Sequence, residues 1–135
     1  IIAKSLNIVP IETYKSRDYL LLYKNENQIR NIKVKKEFLD QINLGCGGVI
    51  VTSKGKNCDF VSRYFTPQSS ILEDPVTGSS HCTLTPFWSK RLNKKSLSAD
   101  QLSKRGGSLQ CLDKGSRVIV SGQAKTFSKT TFVLK

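Results

Sequence analysis

One stretch of the sequence, residues 78–92, sets Cys82, Leu84, Phe87, Trp88 and Leu92 along a wide helical stripe. Pro86 is its one awkward residue, because proline lacks the backbone donor that a helix interior uses. Most of what surrounds it reads as short β-type runs. Tyr19-Leu20-Leu21-Leu22-Tyr23, closing the segment 13–23, is apolar and aromatic enough for a buried strand, and Val49-Ile50-Val51-Thr52 is a β-branched one. Residues 58–65 alternate Phe60, Ser62 and Tyr64 against Val61, Arg63 and Phe65. Residues 108–112, 117–121 and 124–134 are three further strand candidates, separated by Asp113-Lys114-Gly115 and by Gly122. Between the first two runs, Ile29, Ile32, Phe38, Leu39 and Ile42 recur loosely enough for a short helix or two, which Gly45-Cys46-Gly47-Gly48 ends. Several strands around one apolar, buried helix describe an α+β domain. No βαβ alternation supports a doubly wound sheet.

A chain of 135 residues suits one domain. No apolar run approaches the length of a membrane span and no signal-peptide pattern is visible, so a cytoplasmic protein without a membrane partner is expected. Methionine is absent and the chain begins Ile1-Ile2. The expectation is therefore a fragment, a processed chain or one domain of something longer.

The 22 Lys and Arg against 10 Asp and Glu give a net charge of +12, which raises nucleic acid or another polyanion as a partner. The charge is spread out: residues 1–67 carry 11 basic and 6 acidic groups, residues 68–135 carry 11 and 4. The densest cluster is Lys90, Arg91, Lys94, Lys95, Lys104 and Arg105, and it contains no aromatic residue for base stacking. A lysine-rich solvated face is the preferred reading, and nucleic acid is disfavoured. The four cysteines show no C-x-x-C, and the single histidine, His81, adjoins Cys82. No metal site and no disulfide framework are expected, and Cys82 reads as a small buried hydrophobe.

The segment Glu73-Asp74-Pro75-Val76-Thr77-Gly78-Ser79-Ser80 carries the most chemistry. Two carboxylates on a proline-fixed loop lead through Thr-Gly-Ser into the apolar helix. The first N–H groups of a helix are unpaired and lie at the positive end of its dipole. Gly78 would let a ligand approach that backbone, Ser79 adds a hydroxyl, and Asp74 can accept a hydrogen bond from a ligand amine or hydroxyl, which together suit a carboxylate or phosphate. The lysine and spacing of a P-loop are missing. The alternative is that Asp74 or Thr77 merely caps the helix.

Three stretches in order, Asp59-Phe60-Val61-Ser62-Arg63-Tyr64-Phe65-Thr66-Pro67, then 73–82, then Leu97-Ser98-Ala99-Asp100-Gln101-Leu102-Ser103-Lys104-Arg105-Gly106-Gly107, resemble the PhzF-like (phenazine-biosynthesis) isomerase family. The match runs from about Tyr14 onward and covers the second half of such a protein. The resemblance implies a diaminopimelate-epimerase-like fold, each half a mixed β-barrel wrapped around a central helix, with the active site between halves. It implies a proton shift on a small carboxylate substrate, with no metal or organic cofactor. Asp74 would contact polar groups of the substrate, while Gly78 and Ser79 would bind its carboxylate. The family's acid/base glutamate and assisting histidine belong to its first half and have no counterpart here, so residues 1–135 are expected to be a C-terminal domain, inactive without an N-terminal one. Arg63 and Arg105 could hold a carboxylate or form structural ion pairs. Two other functions stay open: a basic nucleic-acid-binding module, and an interaction domain that has lost catalysis. A second copy of the chain could also cover the exposed cleft face.

Overall fold

The computed structural model describes residues 2–134. In chain order the elements are α1 (Ile2–Ser5), β1 (Glu12–Lys15), β2 (Tyr19–Leu22), α2 (Glu26–Asn31), α3 (Lys36–Leu39), β3 (Val49–Lys54), β4 (Phe60–Phe65), β5 (Glu73–Asp74), α4 (Gly78–Leu92), β6 (Ser96–Gln101), β7 (Gly107–Asp113) and β8 (Val118–Ser121). One mixed sheet runs β1-β2-β3-β4-β6-β7-β8, with β5 hydrogen-bonded to β4. The pairs β2–β3 and β4–β6 are parallel, and the rest are antiparallel. The two parallel pairs require crossovers, supplied by α2 and α3 in one case and by α4 in the other. Two such units are therefore present where no βαβ alternation was expected. The sequence placed a helix between β2 and β3 without showing that those strands run parallel, and residues 96–101, the strand that pairs with β4, were not read as a strand.

The central strands are buried on both faces, which explains their near-continuous apolar runs. Leu21, Tyr23, Val49, Val51, Val61 and Phe65 pack with Ile29, Ile32, Leu39 and Ile42 from the α1–α3 side. Their strand neighbours Leu20, Leu22, Ile50, Phe60 and Tyr64 face α4, where they meet Leu84 and Trp88. Phe60 stacks on Trp88 with ring centroids 5.9 Å apart, and the indole N–H donates to the Thr52 hydroxyl at 3.0 Å.

The sheet curls around α4. At one edge Arg91 pairs with Glu12 of β1, and Phe87 meets the ring of Tyr14 at 5.6 Å; toward the other edge Val120 of β8 packs on the same core. Among the described residues β1 and β8 do not pair with each other. The result is an α+β domain in which one mixed sheet curls around a central helix, its two edge strands not hydrogen-bonded to each other.

The helix itself differs from the expected apolar one. Pro86 lies inside it, but its buried face reads Ser80, His81, Leu84, Thr85, Trp88 and Ser89. The small polar groups are tolerated there because they bond back to the helix: the Ser80 hydroxyl donates to the Thr77 carbonyl at 2.9 Å and the Thr85 hydroxyl to the His81 carbonyl at 2.6 Å. Cys82 is exposed, not buried, since the row Gly78, Cys82, Pro86 and Lys90, each one turn apart, faces solvent. Pro86 lies on this same exposed face, one turn after Cys82, whose carbonyl it cannot serve with a backbone donor.

Two further expectations fail. Residues 96–101, which overlap a stretch quoted for the family resemblance but were not read as a strand, form β6, whose inward positions are Leu97, Ala99 and Gln101. Residues 124–134 form no strand; Phe127, Phe132, Val133 and Leu134 are exposed and no neighbouring strand pairs with them. Strand propensity reports packing against neighbours, and this segment has none.

The basic cluster, contiguous in sequence, is divided in space. Lys90, Arg91, Lys94 and Lys95 lie at the C-terminal end of α4, where Lys94 pairs with Asp59. Lys104 and Arg105 sit on the β6–β7 turn beside Glu73, Pro75 and Val76. A 15-residue helix, about 22 Å long, separates the two groups. No helix among the described residues is long and apolar enough to cross a membrane.

Candidate active site

The end of the sheet where β2 and β3 begin and β4 and β6 finish carries the segment 73–79. Here β5 pairs with the last residues of β4, Tyr64 opposite Asp74 and Phe65 opposite Glu73. Neighbouring residues in a strand face opposite ways. The two carboxylates therefore have different fates.

Glu73 is consumed structurally. The Arg63 guanidinium grips it with two parallel hydrogen bonds of 2.7 and 2.9 Å, and its remaining Nη1 donates to the carbonyls of Ile29 and Ile32 at 3.1 and 2.9 Å. Arg63 thus ties β4, β5 and the C-terminus of α2 together, which settles the ambiguity about this arginine in favour of a structural ion pair. Arg105 makes no ion pair among the described residues and lies exposed beside Val76.

Asp74 stays at the mouth of α4. Its carboxylate accepts the Thr77 hydroxyl, so Thr77 occupies the N-cap position without capping the helix through its side chain. Gln101 of β6, 1% exposed, holds the loop from beneath. Its Nε2 donates to the Asp74 carbonyl at 2.8 Å and the Thr77 hydroxyl oxygen at 3.0 Å, and its Oε1 accepts the Thr77 N–H at 2.8 Å. The Ser103 hydroxyl adds a bond to the Pro75 carbonyl at 2.7 Å. Glycine is required at 107, where a Cβ would stand 2.4 Å from a Val76 methyl.

The loop entering α4 is thus held by Gln101 and Ser103, and the first turn beyond it is open. Gly78 and Ser79 are exposed, and among the described residues no hydrogen bond occupies their N–H groups. A Cβ built on Gly78 would meet nothing within 4 Å. The chain's own packing places no demand for glycine there; a ligand approaching the amides would. The alternative of a simple side-chain cap does not hold, since Thr77 and Asp74 turn to each other instead.

Flanking this turn is a group that the sequence reading missed. Asp18, buried at the start of β2, accepts the Gly48 N–H at 2.8 Å and the Tyr64 hydroxyl at 3.1 Å on Oδ1, and Arg17 Nη2 and Nε at 2.6 and 3.2 Å on Oδ2. Arg17 Nη2 also lies 3.3 Å from the Ser79 hydroxyl oxygen. Burial, then the Asp18 charge, pushes the Tyr64 phenol up to about 12, and Asp18 holds Arg17 still more firmly protonated. The visible signal was Gly47-Gly48: a Cβ on Gly48 would stand 2.5 Å from the Tyr64 ring, and one on Gly47 2.1 Å from the Arg17 carbonyl.

His81, one turn in, is fully buried and points away from this surface. Its Nδ1 bonds the Thr77 carbonyl at 2.7 Å, its Nε2 has no partner, and burial lowers its pKa. Among the described residues no three His, Cys, Asp or Glu side chains gather as a metal site would need. The arrangement can hold an anion on two amides and a hydroxyl and offer Asp74 to a polar neighbour. Among the described residues it contains no second free carboxylate or accessible imidazole to move a proton.

Fold and site together define an α+β domain with an anion-receptive helix N-terminus on an open surface. The sequence pattern of the phenazine biosynthesis-like family (PhzC–PhzF) matches residues 2–130, and the chain belongs to that family. An uncharacterized isomerase of Pseudomonas aeruginosa is 45% identical over 122 residues, covering 90% of this chain and 46% of its own length. The crystal structure of a PhzF-family protein from Enterococcus faecalis superimposes with a TM-score of 0.88 at 45% identity, over 94% of this chain and 48% of that one. A phenazine biosynthesis PhzC/PhzF protein from Clostridium difficile gives 0.84 at 44% identity, over 94% and 49%. The chain thus spans about half the length of the relatives it matches.

Proposed function

We propose that this chain is the C-terminal half of a PhzF-like, cofactor-independent isomerase or epimerase that shifts a proton on a small carboxylate substrate. The observation that carries the reading is the pair of unoccupied Gly78 and Ser79 amides on a turn fixed by Gln101. The substrate carboxylate sits on those amides and the Ser79 hydroxyl, and Asp74 accepts from an amine or hydroxyl of the same molecule. General acid–base catalysis needs a titrating group within hydrogen-bond reach of the proton. With Glu73 held by Arg63 and His81 buried, that group comes from an N-terminal half that closes over this surface. The curled sheet around α4 fits the diaminopimelate-epimerase-like architecture of such a half, and the setting is cytoplasmic.

The test is solvent deuterium exchange into a hydroxyanthranilate-like or amino-acid-like carboxylate. The 135-residue chain alone is expected to catalyse none. A chimera carrying the N-terminal half of a relative is expected to catalyse exchange that Asp74→Ala abolishes. Exchange by the chain alone that survives Asp74→Ala overturns the assignment.

A further inference from the structure

We infer that Arg17 is a positioning residue of the carboxylate site, setting the Ser79 hydroxyl as a donor toward the ligand. The inference rests on the proposed role of Gly78 and Ser79 and adds a residue that the segment 73–79 does not contain.

The argument begins with Asp18. Its side chain is 1% exposed, whereas that of Arg17 is 46% exposed. A surface ion pair would leave both partners wet and mobile. Here the acid is locked from behind by the Gly48 N–H and the Tyr64 hydroxyl, so it serves as a fixed post on which the guanidinium is mounted. The planar fork spends Nε and Nη2 on Asp18, and Nη2 also reaches Ser79 Oγ at 3.3 Å. Nη1 has no protein partner among the described residues.

The direction of that last contact matters. A guanidinium can only donate, so Ser79 Oγ accepts from it and its own hydrogen is turned elsewhere. Directed away from Arg17, the hydroxyl hydrogen adds to the unoccupied amides of the first turn. A hydroxyl whose oxygen already accepts from a cation is also a better donor. The order Asp18, Arg17, Ser79 places the positive member of the pair between the buried acid and an incoming carboxylate. Asp18 alone would repel that ligand; with Arg17 interposed it does not.

Lysine separates this role from that of a plain counter-ion. Arg17→Lys keeps a positive partner for Asp18 but, having a single nitrogen, cannot hold the fork that spans Asp18 and Ser79. The probe is benzoate, with benzamide as its uncharged analogue, titrated into the isotope-labelled chain while the Gly78 and Ser79 amide resonances are followed. Benzoate is expected to shift both amides and benzamide neither. Arg17→Lys is expected to weaken benzoate about fivefold, the scale of one net hydrogen bond, and by less than twofold when Ser79→Ala is already present. An equal affinity in Arg17→Lys, or the same loss in both backgrounds, overturns the role of Arg17 and leaves the amide site standing. No shift of either amide by benzoate in the parent chain overturns the site and Arg17 together. Unchanged resonances of Gly48 and Tyr64 in Arg17→Lys verify that Asp18 has kept its place; their displacement moves the test to Arg17→Gln, read by the same comparison with and without Ser79→Ala.

Discussion

Gln101 lies beneath Thr77 and bonds it twice, accepting its backbone N–H at 2.8 Å and donating to its hydroxyl oxygen at 3.0 Å. A third bond, to the Asp74 carbonyl, makes this one buried amide the fastening of the whole loop. Replacing it with leucine of similar size strands the Thr77 N–H in the interior. Gln101→Leu is expected to cost about 2–3 kcal/mol in urea unfolding, the scale of a buried donor left unpaired. It should also weaken carboxylate binding at Gly78, since the turn loses its anchor. Unaltered stability would place the fastening elsewhere.

The two neighbouring acids should separate cleanly. Glu73→Gln weakens the grip of Arg63 and is expected to lower stability by about 1–2 kcal/mol, less than a fully buried pair because both side chains touch solvent. In an assembled two-domain enzyme it should leave turnover within about threefold, whereas Asp74→Asn should lower it by at least about a hundredfold, the scale of a substrate-orienting contact. Equal losses of turnover would give Glu73 a chemical role.

His81 is the chain's single histidine, which gives its titration a window of its own. Burial lowers its pKa below 6.5, so the folded protein resists a proton that the unfolded chain accepts. Stability is therefore complete above about pH 7 and declines as pH falls through 6.5, levelling once the folded form is protonated too. Carboxylates held below their usual range, among them Glu26 through the Lys56 N–H and Asp59 through Lys94 and Ser98, lose their contribution in a separate, more acidic range. Urea midpoints between pH 7.5 and 5 should fall for the parent chain and stay level for His81→Gln.

The cysteines should divide two and two toward a thiol reagent. Cys46 and Cys82 are exposed; Cys58 is half-buried, its thiol pushed up to about 11 chiefly by burial, and Cys111 is buried and likewise raised. Two thiols are expected to react in the native protein and the other two only on unfolding. Mass mapping that finds Cys82 unlabelled would contradict the outward face of α4.

How much of this could be read beforehand depends on how local the signal is. Residues 19–22, 49–52, 60–65 and 78–92 announce themselves because burial on one or both faces imprints a pattern within a few residues. Strand β6 does not, since only Leu97 of its inward positions is strongly apolar and Gln101 is buried for its hydrogen bonds. Cys82 misleads because its apolar character fits either side of the helix. The apolar residues 124–134 mislead in the opposite sense, having propensity without a neighbour. Asp74, Gly78 and Ser79, the residues proposed to hold the substrate, fall within one contiguous motif. Arg17 and Ser79 are 62 positions apart, and Gln101 and Thr77 are 24 apart, so their association exists only once the sheet order is known.

The division of the basic residues between the two ends of α4 has a practical side. All the segments around the proposed anion site, 16–18, 45–48, 73–79 and 101–107, crowd one end of the sheet. The turns at Gly55–Asn57 and Lys114–Arg117, together with Lys94 and Lys95, occupy the opposite end. Reporter dyes, affinity handles or inserted peptides can be attached there about a helix length away from Ser79. The protein thus comes with a working end and a handle.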